Sequence, residues 1–270
     1  MTQSVWDSVV GQAKAVEQLH QLAVNHVHAY LFIGPEGCGK DEAARAFATQ
    51  LITGSDNATS READLIMRGS FSDVIEVLRE GAAVDKDEAE AIIRLATTTP
   101  TESKVKVVIV HEVHLMRDSA AARLLKTIEE PSEKVIFILL ADQLVPSLAT
   151  INSRCVVVQF AANNAYRERL LANDPQFAHR QEAFASIPYK LDGSGATVAL
   201  IVDEIFELIE QATVPLISEQ KKELDDLEAR VSLTGERGSG RKALQDRHKR
   251  QLRKFNTDEL RSGLSTIAGT

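Results

Sequence analysis

Within residues 31–40, LFIGPEGCGK, an apolar run passes directly into a glycine-rich turn that ends in a lysine. The spacing Gly34-x-x-x-x-Gly39-Lys40, with Gly37 between, is that of a phosphate-binding loop. Glycines let the backbone curl so that successive N–H groups point inward, and the helix that follows adds the partial positive charge of its N-terminus. Position 41, where such a loop carries a hydroxyl for Mg2+, is Asp41. A carboxylate there removes the metal ligand and repels a polyphosphate.

A second run, Val105 to Val110, ends in His111-Glu112-Val113-His114. Glu112 keeps one member of the acidic pair that would orient Mg2+ and polarise water. His111 stands where the other belongs, and a neutral imidazole is a poor ligand for a hard cation. Two independent residues damage the same Mg2+ site, which predicts loss of hydrolysis. The same stretch fails as a zinc-protease motif, because its second histidine comes three residues on and the segment leaves a strand. Lys40 and the loop could still hold a phosphate, sulfate or nucleotide, although an empty inherited loop is favoured over productive ATP binding. A third feature is Ile151-Asn152-Ser153-Arg154-Cys155. The residues alone leave two readings of Arg154: a surface arginine at a helix end, or a finger offered to a phosphate held by a neighbouring subunit.

The elements that must position these residues follow from periodicity. An amphipathic helix is expected over 6–28, after a turn at Val10-Gly11-Gln12. Strands are expected over 30–33, 71–77, 105–110, 135–141 and 155–160, with helices after the glycine loop (Ala43 to Leu51), over 85–97 and over 120–130, the last stopped by Pro131. Residues 53–64 read as a polar loop. Strands alternating with helices imply an α/β fold with a mostly parallel sheet. Beyond Phe160 the pattern turns helical, over 163–173, 176–186, 197–212, 216–231, 241–254 and from 257 onward. A linker is expected over 189–195 and a flexible loop over 235–240. The last helix reaches Thr270 without a clear cap, so that domain could be incomplete. Arg241, Lys242, Arg247, Lys249, Arg250, Arg253 and Lys254 form a basic run, read as a solvated helix face in preference to a DNA contact.

Composition narrows the class. At 270 residues the chain can hold one large domain and one or two small ones. Its net charge of −8 argues against a free-standing nucleic-acid binder. Two cysteines are too few for a disulfide framework or a four-cysteine zinc site. No apolar run approaches the ~20 residues needed to span a bilayer, and the N-terminus does not read as a signal peptide, so a cytoplasmic location is expected.

With HAYLFIGPEGCGK, the segment Ala121 to Pro131 and Ser153-Arg154-Cys155 in this order, the chain resembles the clamp-loader branch of the AAA+ ATPases, over about residues 8–160. Within that branch, a kept SRC motif beside broken ATP motifs is similar to the delta prime subunits of bacterial DNA polymerase III, the stators of their complexes. The resemblance implies an AAA+ domain over 1–160, a helical lid over 161–197 and a helical collar over 198–270. It implies a non-catalytic stator that supports ATP-driven loading of the sliding clamp onto DNA. Arg154 would be the trans-acting finger, Gly34, Gly37, Gly39 and Lys40 a vestigial loop, and Glu112 a relic. Implied partners are gamma/tau-like ATPase subunits and a delta-like subunit in a ring, with clamp and primer-template DNA reached through the complex and no membrane. No cofactor and no zinc are expected. Asp142 replaces the sensing Thr or Asn after β-rich FILLA, and the lid lacks its sensor arginine. An active ATPase of the same branch, a motor subunit or helicase loader, is the alternative.

Overall fold

The computed structural model describes residues 3–79, 83–84, 86–130, 132, 134–162, 175–234 and 239–268, with some side chains in the last three helices left outside that description. The chain divides into two compact units, Met1–Glu168 and Arg169–Thr270.

The first unit is built on five strands: β1 (Ala29–Ile33), β2 (Val74–Val77), β3 (Lys106–Val110), β4 (Val135–Ala141) and β5 (Val156–Gln159). They pair in parallel in the order β2-β3-β4-β1-β5. The three central strands, β3, β4 and β1, are buried along their whole length, as expected for β-branched and aromatic runs covered on both faces. Alternate residues go to opposite faces. Tyr30, Phe32, Val107, Ile109, Ile138 and Leu140 pack on one side, under α1 (Ala13–Val24), α2 (Lys40–Thr53) and α3 (Arg61–Met67). Leu31, Val108, Val110, Phe137 and Leu139 pack on the other, under α4 (Lys86–Thr97) and α5 (Asp118–Glu129). A short α6 (Ala149–Asn152) precedes β5.

Two local expectations change. The helix expected over 6–28 is confined to Ala13–Val24, because Gly11 adopts φ 74° and breaks the path. Before it, Val5–Ser8 forms a 3-10 turn held by a capping box between Ser4 and Asp7. The loop expected over 53–64 ends early, since the Ser60 hydroxyl accepts from the Ala63 N–H at 3.1 Å and starts α3 at Arg61.

The second unit contains α7 (Pro175–Lys190), α8 (Gly195–Thr234) and α9 (Ser239–Ala268), each packed on the other two. The pairs expected over 197–212 and 216–231, and over 241–254 and from 257, are single helices. Pro215 costs α8 one backbone hydrogen bond. Burial of Ile201, Ile209, Ala212 and Thr213 holds the helix continuous. Arg180 and Glu259 form a buried two-bond ion pair between α7 and α9, at 3.0 and 3.1 Å. Gly263 lets α9 approach the Phe184 ring, where a Cβ would come within 2.3 Å. In the basic run, Arg241 pairs with Glu228 at 3.1 Å, while the side chains of Lys242, Arg247, Arg250 and Lys254 are outside the described set. The helix expected over 163–173, most of the loop over 235–240, the stop at Pro131 and the end at Thr270 also lie outside it. No helix among the described residues is long and apolar enough to cross a membrane.

Candidate functional site

In a parallel sheet the C-terminal strand ends share one edge, and that edge collects the glycine loop, Asp41, His111 and Glu112. Gly34 follows β1 and donates its N–H to Ala141 O at 3.1 Å, beside the end of β4. A Cβ on Gly34 would lie 2.6 Å from Phe160 Cβ and 2.9 Å from Cys38 Sγ, so only glycine fits. Gly37 and Gly39 adopt φ 71° and 92°, the left-handed region that turns the loop into α2. The loop therefore has the geometry its spacing predicts.

Its charges are another matter. The Lys40 ammonium is buried and lies 2.8 Å from Asp142 Oδ1, just past β4, and 3.3 Å from Pro35 O. Burial works against the Lys40 charge, but the hydrogen bond to Asp142 and the charges of Asp41 and Asp142 outweigh it and raise its pKa. Asp41 Oδ1 lies 2.9 Å from His111 Nδ1, and His111 Nε2 lies 3.1 Å from Glu76 Oε2. Glu76 in turn receives two bonds from Arg45 of α2, at 2.6 and 2.9 Å. Burial alone would raise the Glu76 pKa, yet the Arg45 charge and the bonds from His111 and Arg45 hold it well below the usual carboxylate range. Asp41 and His111, two separate departures in the sequence, thus meet in space and bind each other.

Glu112, expected as a relic of the acidic pair, sits at φ 53° and pairs with Arg79 at 2.8 Å. A Mg2+-nucleotide needs Lys40, a ligand at position 41 and the acidic pair after β3. Here Lys40 holds Asp142, Asp41 holds a histidine and Glu112 holds an arginine, so these residues do not fit that group. Cys38 in the loop is no nucleophile either, since burial pushes its thiol up.

Arg154 is elsewhere. It precedes β5, and the register Tyr30↔Val156 to Ile33↔Gln159 puts it at the N-terminal edge of the sheet. Its guanidinium bonds Glu129 at the end of α5 through Nε, and Thr150 O and Ser153 Oγ through Nη1 at 3.0 Å each. The side chain is 39% exposed. Cys155 beside it is half-buried and its thiol is pushed up to about 12 by burial, which makes it inert packing.

This arrangement of sheet, loop and SRC segment agrees with what whole-sequence comparison finds: residues 11–164 match the family model described as "DNA polymerase III, delta subunit". The chain belongs to this family. Its curated relatives include the DNA polymerase III subunit tau of Bacillus subtilis (37% identical over 56% of this chain and 28% of that protein) and of Escherichia coli (29% over 85% and 38%). They also include the DNA polymerase III subunit delta' of Pseudomonas aeruginosa (30% over 57% and 46%). The chain thus spans less than half the length of these relatives. The resemblance to a clamp-loader AAA+ subunit is borne out at this level.

Two working residues of this delta-family chain escaped sequence reasoning. Gln12, placed in a turn that resembles the family's adenine-side turn but given no contact of its own, is buried and donates to Cys38 O at 2.9 Å and Ala161 O at 2.7 Å, while accepting from Ala161 N at 3.0 Å. It ties the start of α1 to the glycine loop and the end of β5. Glu76, in the middle of an edge strand, anchors the His111 and Arg45 chain. A charged residue in a strand of burial-prone neighbours was the available signal.

Proposed function

We propose that this chain is a non-catalytic clamp-loader subunit of the delta prime kind, which lends Arg154 to the ATP site of an adjacent subunit. Its partners are gamma/tau-like ATPase subunits and a delta-like subunit, and it serves the loading of a sliding clamp onto DNA through that complex. The observation that carries this reading is placement. Arg154 lies at the opposite edge of the sheet from the chain's own glycine loop, separated by the length of β5, roughly 13 Å before either end is counted. Such a guanidinium cannot reach a phosphate on its own Lys40, whereas its exposed edge can meet one presented by a neighbour. There it would stabilise charge developing on the transferred phosphoryl group.

Sequence identity does not separate delta prime from tau relatives, since the tau relatives stand at 29% and 37% and the delta prime relatives, at 30% and 32%, fall between them. The pairings at the site support the non-catalytic reading. An active ATPase would need Lys40 and Glu112 for its own nucleotide, and both side chains are committed to Asp142 and Arg79. In a complex reconstituted with its ATPase subunits, Arg154→Ala is expected to lower ATP hydrolysis at least about tenfold. An unchanged rate refutes the proposal.

A further inference from the structure

We propose that Asp142 is the residue that excludes nucleotide from the glycine loop, its carboxylate standing on Lys40 in the place of a phosphate. This deepens the reading above at the chain's own loop and borrows from it only that the loop is not a working ATP site.

The geometry singles out Asp142 among the acidic groups along this edge. Asp41 faces His111, Glu76 faces Arg45 and Glu112 faces Arg79, so each has a cation or N–H donor that no phosphate needs. Asp142 differs, because its partner at 2.8 Å is the one lysine the loop supplies for an anion. It is also held from behind. Its own N–H donates to His114 Nδ1 at 3.2 Å, which leaves the His114 proton on Nε2, 3.5 Å from Asp142 Oδ2. The Lys40 side chain is 5% exposed and that of Asp142 28%, so the ammonium end of the bond is shielded from water while the carboxylate is partly open to it, and a charge-assisted bond gains from that shielding. An arriving polyphosphate must break that bond and then share one ammonium with a fixed carboxylate. Elsewhere the loop keeps its shape: Gly34, Gly37 and Gly39 still take the conformations that turn a backbone around an anion. Removing one charge, with the shape of the side chain kept, therefore reopens the loop.

The test is calorimetric titration of the 270-residue chain with inorganic pyrophosphate without Mg2+, and with Mg2+-ATP. Wild type is expected to give no binding, and Asp142→Asn to bind pyrophosphate at least roughly tenfold more tightly, the worth of a charge-assisted contact. Adding Lys40→Met to that variant abolishes the gain. Asp142→Ser gives the same gain and serves if the amide variant fails to fold, with thermal melting as the control. Folded variants that bind no better than wild type overturn the inference and leave the Arg154 reading intact. A wild type that binds pyrophosphate as well as its variants also overturns it. Mg2+-dependent ATP binding by wild type overturns both readings.

Discussion

The two edges of the sheet treat charge in opposite ways. At the C-terminal edge, carboxylates face inward and are each taken up by a nitrogen group of the same chain: Asp142 by Lys40, Asp41 by His111, Glu76 by Arg45. At the N-terminal edge, Arg154 leans on Glu129, a pair exposed on both sides. Exposed pairs contribute little to stability, while buried ones are costly to break. The pairs of the first edge are therefore costly to break, whereas the Arg154–Glu129 pair of the second costs little to give up. On the reading proposed above, this is the division of labour of a subunit that serves a neighbour's reaction and not its own.

The contrast can be broken at its buried end first. Glu76→Gln leaves Arg45 and His111 facing an amide, and chemical denaturation is expected to show a loss of about 3 kcal/mol. A loss as small as that of a surface variant would mean the chain of pairs is not structural. Gly34→Ala probes the scaffold without touching charge. Its Cβ would press on Phe160 and Cys38, and a melting curve should report a loss of about 2 kcal/mol.

Acid gives a third, smaller effect. Burial would raise the Asp73 pKa, but the N–H groups of Thr101 and Glu102 and the Ser103 hydroxyl and N–H outweigh it and depress it. Those bonds are 2.7–2.8 Å long and secure the loop leading into β3. A depressed carboxyl contributes stability above its unfolded value, near ~3.9, that is lost as pH falls through the folded value. Stability measured down a pH series should therefore fall below about pH 4, and fall less steeply in Asp73→Asn. Equal slopes would remove Asp73 from the account.

Much of this was legible beforehand because it is local. β4 occupies Val135–Ala141 as its apolar run predicts, and the glycine loop has the conformation its spacing demands. What the sequence hid is pairing at a distance. Asp41 and His111 each read as damage to a Mg2+ site, and nothing in a linear pattern says that they bond to each other. Asp142 read as a lost sensor, not as the partner of Lys40, because β1 and β4 become neighbours only once the strand order is known. The break expected between 212 and 216 is absent for the opposite reason: Pro215 lies inside α8, and burial along that helix keeps it continuous.

The central claim, that this chain lends chemistry it does not perform, is met most directly by comparing two substitutions in one reconstituted clamp-loader complex. Steady-state ATP hydrolysis should fall with Arg154→Ala and stay at the wild-type rate with Lys40→Met. A complex that keeps its rate with Arg154→Ala and loses it with Lys40→Met would contradict the account.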